Sequence, residues 1–318
     1  MKAVTKVGIT LGDPAGIGPE IVAAALHAAP REWRDRIIVY GDRGPLERAA
    51  KAQGIALPDV ELVGSPHGDG DAAVPGNPDL VSGAAQVAYL EAAVAAAAAK
   101  NLAAIVTAPI SKTWARRAGF AFLGHTEMLA ERLGARDVAM FFVGPKLKVA
   151  LATVHRPLAE VVTDLSTERI RSVVELVATS MVRDLGVAAP RIGVVGLNPH
   201  AGEDGLLGDE DADIIAPALA EPFPPSTLLG PLVPDAAFRD AVHGRYDALV
   251  AMYHDQGLIP VKLVDFDESV NVTLGLPIVR TSPDHGTAYD IAGKGIARSL
   301  SMQRALSLAM EMVERRAS

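Results

Sequence analysis

Cysteine is absent from the 318 residues. Disulfides, zinc–thiolate fingers and a cysteine nucleophile are therefore excluded, and a metal site would need His and carboxylates. Aromatic residues are scarce, at 4%, while Ala, Gly and Val are abundant, which suits tightly packed helix-on-sheet layers. Positive charge is in deficit: 30 Lys and Arg against 38 Asp and Glu leave −8. A nucleic-acid binder normally presents a basic face, so none is expected. Long uncharged runs are also missing. The longest, Pro222 to Pro234, has 13 residues and five prolines, too short and too broken to span a bilayer. The opening MKAVTKVGITLGD lacks a long apolar core, so no signal peptide is expected. Together with the missing cysteines this points to a cytoplasmic protein without membrane partners. Hydrophobic residues at 49% and charged residues at 21% describe a folded chain, long enough for one large domain or two ordinary ones.

What is present is alternation. Val/Ile/Ala-rich runs predict strands at 4–10, 36–40, 103–108, 147–154, 191–197 and 247–253. Several are apolar almost throughout, as strands covered on both faces are. Helical patterns run from Pro19 to Ala29, Val81 to Lys100, Thr167 to Leu185 and Ser301 to Arg316. The segment 87–100 is nearly all alanine, the best helix former, and reads as a packed helix. This alternation predicts an α/β architecture with largely parallel sheets. No internal repeat is visible. The Gly/Pro/Asp-rich stretch 64–79 reads as a long surface loop and 221–234 as another irregular connection.

The histidines carry the most information. Of eight, His27, His67 and His243 read as surface or packing residues. Three others share one pattern: LATVH ends at His155, GLNPH at His200 and AMYH at His254, each just past a predicted strand. In open α/β sheets that edge is where ligands bind. Three imidazoles converging there would hold a divalent metal and leave a position open; Zn²⁺, Co²⁺ or Fe²⁺ suits nitrogen better than Mg²⁺. Asp255 follows His254, and Lys262 lies beyond an expected turn, DQGLIP. GHTE (124–127) sets His125 and Thr126 at a helix start, which favours anions or simply makes Thr126 an N-cap. The polar stretch 271–295 exceeds an ordinary turn in length. In it, Arg280 could grip a carboxylate or phosphate through two N–H groups. Asp235 reads as a helix N-cap or a site residue.

Several motifs fail. GDPAGIGPE (12–20) follows the first strand, yet Ile21 stands where a dinucleotide fingerprint needs its third glycine. AGKG (292–295) is not a phosphate-binding Walker loop, and no nucleophile elbow occurs. The acidic run 203–213 has Ile214 where a calcium loop needs Gly, so it reads as a solvated loop. The residues alone support an α/β enzyme with a three-His metal site beside groups for an anionic small molecule. Hydrolase, lyase and metal-assisted dehydrogenase remain open.

Taken together, GDPAGIGPE, GHTE, ALATVHRPL, GLNPHAGE, LVAMYHDQGLIPVK and NVTLGLPIVRTSPDHGTA, in that order, resemble the 4-hydroxythreonine-4-phosphate dehydrogenase family of vitamin B6 biosynthesis from end to end. HGTAYDIAGKG (285–295) also resembles the cofactor segment of isocitrate and isopropylmalate dehydrogenases. The resemblance implies their fold: two α/β domains, 1–125 with 275–318 and 126–274, flanking a cleft. It implies a homodimer with shared active sites and a divalent metal (Zn, Co or Mg) on His155, His200 and His254. It implies a phosphorylated substrate on His125, Thr126, Lys262, Asn271 and Arg280, and NAD or NADP on His285, Gly286, Thr287 and Asp290. Lys262, Asp255 and Asp235 are the catalytic candidates. The expected reaction is oxidation of 4-phosphooxy-L-threonine at C3 with decarboxylation to 3-amino-2-oxopropyl phosphate. Rivals are a same-fold dehydrogenase of a phosphorylated four-carbon sugar acid or a cis-diol dicarboxylate, a three-His hydrolase or aldolase, and a metal-stabilised binding protein.

Overall fold

The structure, a computed structural model, describes residues 5–66 and 69–318. Val4, in the first expected strand, and His67 lie outside the described residues. The chain divides into two compact units, Met1–Arg136 with Leu276–Ser318, and Asp137–Gly275. The first crossing therefore falls later than the one expected near 125. The reason is the helix His125–Leu133: it packs on the helix Leu80–Ala98 and buries Met128 and Leu129 in the first unit.

The strands of the described residues are β1 Val7–Thr10, β2 Ile37–Tyr40, β3 Glu61–Val63, β4 Ala104–Thr107, β5 Ala139–Val143 and β6 Lys148–Leu151. They continue with β7 Arg191–Val195, β8 Thr227–Leu232, β9 Ala248–Ala251, β10 Val270–Leu274 and β11 Val279–Pro283. In the first unit the order β3-β2-β1-β4-β11 is parallel throughout. Val7 of β1 faces Ile37 on one side and Ala104 on the other. All residues of β1, β2 and β4 are buried, as apolar strands covered on both faces must be. In the second unit β6, β9, β7 and β8 run parallel, and β5 joins antiparallel between β6 and β10. Largely parallel α/β architecture is thus what the alternation produces.

Helix Leu80–Ala98 starts with a reciprocal cap. The Asp79 carboxylate accepts from the Ser82 N–H, and the Ser82 hydroxyl accepts from the Asp79 N–H. By length and composition alone this helix could cross a membrane, and half of its apolar window is buried inside the fold. Glu91 interrupts it, so a search for uncharged runs passes it over. Tyr89, Leu90, Ala93, Val94 and Ala97 form its buried face.

Three expectations change. The stretch 221–234 contains β8, whose glycine and proline hide it from periodicity. The polar stretch from 271 begins as two strands, β10 and β11, whose polar side chains are mostly buried. DQGLIP is no turn: it lies within the helix His254–Val264, Pro260 included.

Candidate active site

Three adjacent parallel strands of the second unit, β6, β9 and β7, each lead into one of the patterned histidines. His254 opens the helix after β9. His155 and His200 sit at φ 52° and 53°, in the left-handed region that side-chain-bearing residues avoid at about 1–2 kcal/mol each. After β7, His200, Ala201, Glu203 and Asp204 all adopt it, with Gly202 between them. Strain of this kind gathers at functional sites.

The His155 and His254 rings stand 5.7 Å apart between centroids. The Nδ1 of His254 donates to Asp255 Oδ1 at 2.7 Å, and the Nδ1 of His200 donates to Glu203 Oε2 at 2.9 Å. Carboxylates held this way fix the tautomer that leaves Nε2 as a lone-pair donor, the usual outer support of a metal-ligating histidine. His200 does not join the other two within one chain: among the described residues no group of three or more His, Asp or Glu is arranged to hold a metal. The donor chemistry fits a divalent ion, while a single chain does not assemble the trio expected from its spacing.

Two supports of these loops escaped sequence reasoning. Asp211, in the run read as a solvated loop, is 1% exposed. Its carboxylate accepts from the Leu197 N–H, the Asn198 N–H and the Asn198 amide. Gln256 takes the Met252 N–H and gives to the Gly196 carbonyl, tying the ends of β9 and β7 together. Only the D-x-D-x-D spacing hinted at Asp211; nothing marked Gln256.

Lys262 is exposed and lies eight residues beyond His254 on the same helix, about 12 Å along its axis. Asn271, on β10, keeps a buried Oδ1 without a hydrogen-bond partner. Asp235 is exposed and sits inside the first turn of the helix Pro234–Val242, where Oδ1 accepts from the Ala236 N–H; the N-cap is Val233. Thr126 likewise is no N-cap, since that position belongs to Gly124.

In the first unit, Arg280 on β11 is 4% exposed and donates to Thr107 Oγ1 at 2.8 Å. Burial lowers its pKa to about 10, opposed by the nearby Glu127 charge, so the guanidinium stays cationic at neutral pH. His125 as a residue is half-buried, yet its Nε2 is sealed and has no hydrogen-bond partner. Burial first, then the charges of Arg280 and Lys112, hold its pKa well below the ordinary value, and it is neutral at pH 7. Two cations and a neutral imidazole around one helix start suit an anion.

The segment after β11 holds the remaining candidates. The His285 Nδ1 donates to the Gly286 carbonyl, and burial lowers the ring's pKa. Its Nε2 is buried without a partner. A side chain at Gly286 would meet nothing within 4 Å, which leaves the backbone approachable from one side. Asp290 is exposed, and the Thr287 carbonyl accepts from the Ile17 N–H. An open backbone cradle beside an unsatisfied ring nitrogen fits a nucleotide ligand.

Comparison with known proteins bears on this site. The family described as pyridoxal phosphate biosynthetic protein PdxA matches residues 32–309. A 4-hydroxythreonine-4-phosphate dehydrogenase of Desulfosudis oleivorans is 44% identical over 321 residues, covering 96% of this chain and 95% of that protein. The crystal structure of 4-hydroxythreonine-4-phosphate dehydrogenase from Klebsiella pneumoniae superposes with TM-score 0.85 at 38% identity, over 97% of this chain and 99% of that one. A terephthalate 1,2-cis-dihydrodiol dehydrogenase from Burkholderia xenovorans gives TM-score 0.68 at 32% identity, over 96% and 98%.

Proposed function

This chain belongs to the PdxA family of pyridoxal phosphate biosynthetic proteins and is an oxidoreductase, and from that premise we propose that it oxidises 4-phosphooxy-L-threonine at C3 with NAD or NADP. The product loses CO₂ and leaves 3-amino-2-oxopropyl phosphate. The observation that carries the reading is the imidazole arrangement: His155 beside His254, with His254 and His200 each held through Nδ1 by a carboxylate.

In this reading His155, His200 and His254 hold a divalent ion, with a second copy of the chain completing the set. When bound, the ion would supply Lewis acidity toward the substrate hydroxyl, and a nicotinamide would supply the hydride acceptor. The chain's own residues do the rest. Arg280 binds an anionic oxygen pair, and His125 adds a hydrogen bond without adding charge. Thr126, Lys262 and Asn271 contribute the other polar contacts. Asp255 orients His254, and Lys262 and Asp255 are the two candidates for moving the hydroxyl proton. His285, Gly286, Thr287 and Asp290 receive the dinucleotide. Carboxylate loss follows because the new 3-oxo group can accept the electron pair.

The test is turnover of purified protein with 4-phosphooxy-threonine, NAD⁺ or NADP⁺ and a divalent metal, followed by the absorbance of reduced nicotinamide. Reduction that a chelator abolishes is the expected result. Activity only on a cis-diol dicarboxylate would support a second reading, favoured by the likeness to the terephthalate enzyme. Activity only on a phosphorylated sugar acid would also displace the threonine substrate, and turnover without nicotinamide would mean a hydrolase or aldolase. His200→Ala should cut activity at least about a hundredfold with the circular dichroism unchanged.

A further inference from the structure

We propose that Tyr289 and Asp13 form a clasp that sets the 285–290 segment in its dinucleotide-receiving position, so that Tyr289 is a positioning residue for the cofactor. This rests on the reading of that segment given above. The Tyr289 hydroxyl donates to Asp13 Oδ2 at 2.7 Å. Asp13 is fully buried, and its carboxylate is held from behind: the Gln86 amide gives to Oδ2 at 3.3 Å, and the Ala15 N–H gives to Oδ1 at 2.9 Å. Gln86 is anchored in turn, because its Oε1 accepts from the Ser111 N–H at 2.7 Å. The acceptor is thus fixed by three separate parts of the first unit: the loop after β1, the helix Leu80–Ala98 and the start of the helix Lys112–Arg117.

The segment that Tyr289 belongs to needs such a hold. Its neighbour Ala288 sits at φ 42°, a backbone conformation that alanine adopts only under constraint. On one flank the Thr287 carbonyl takes the Ile17 N–H at 2.9 Å. A methyl group at Gly16 would come within 2.9 Å of that same carbonyl, so the glycine permits the close approach. The phenol closes the other flank. His285, Gly286 and Thr287 therefore hang between β11 and two hydrogen bonds to the glycine-rich loop, which explains why GDPAGIGPE follows the first strand without being a phosphate-binding fingerprint. Its Gly16 admits the protein's own segment, and its aspartate anchors it. Burial raises the pKa of both partners' groups, in keeping with a hydrogen bond whose acceptor is buried.

The test is Tyr289→Phe, which removes one oxygen and keeps the ring. Calorimetric binding of NAD⁺ and NADP⁺ to metal-loaded protein, without substrate, should weaken by about fivefold or more, the worth of one hydrogen bond. KM for the dinucleotide should rise by the same factor, while KM for the phosphorylated substrate stays put. Amide hydrogen exchange should quicken across 285–291 and not in the helix Leu80–Ala98. Wild type that binds dinucleotide together with a variant that binds it equally well would overturn the clasp alone. Equal losses for dinucleotide and substrate would also overturn it, as the signature of general loosening. Wild type that binds no dinucleotide would overturn the underlying reading of the segment, and the clasp's cofactor role with it.

Discussion

At the scale of single residues, the buried polar groups do the positioning. Asp211 holds the loop that presents His200 through three hydrogen bonds. Asp211→Ala should lower stability by about 2–3 kcal/mol, because three donors lose one buried carboxylate acceptor, and a urea titration would measure it. His125 gives a pH signature. Its folded pKa lies below the ordinary 6.5, so the unfolded chain takes up a proton that the native ring refuses. The ring therefore takes nothing from stability at neutral pH and an increasing amount as pH falls below 6.5. Urea midpoints at about pH 7.5 and about pH 5 should fall further for wild type than for His125→Gln. The motif residues could be read from the sequence because His, Asp and Arg stand out in apolar surroundings. Gln256 and Tyr289 could not, since a glutamine in a helix or a tyrosine in a loop acquires meaning only from the distant atom that it meets.

Among the elements, β1, β2, β4, β6, β7 and β9 were legible because strands covered on both faces are apolar over most of their length. β8 and β10 escaped for opposite reasons. β8 carries the glycine and proline of a loop, and β10 sets a polar asparagine and threonine between its apolar residues. The helix His254–Val264 escaped because glycine and proline in DQGLIP imitate a turn, whereas packing against β6 and β9 keeps them helical. Tertiary context overrode local propensity in each case. The helix Leu80–Ala98 shows the reverse, with alanine content and cap agreeing. Asp79→Ala should cost about 1 kcal/mol, seen as a lower thermal midpoint.

For the whole molecule, three strand-end histidines were visible in the chain, but their meeting was not, since spacing along a polymer does not set distances between loops. His155 and His254 come together and His200 stays outside any one-chain cluster of three. Stripping metal with a chelator should therefore abolish turnover, and metal content measured against protein should fall in His254→Ala and His200→Ala alike. The two-unit division carries a further consequence for biosynthesis. The second unit is one uninterrupted length of chain, whereas the first needs β11, which reaches from residue 279 to stand beside β4. On the ribosome, residues up to 136 must wait roughly seven to thirty seconds for that strand. A released fragment ending at residue 275 should display a protease-resistant middle and a digestible front.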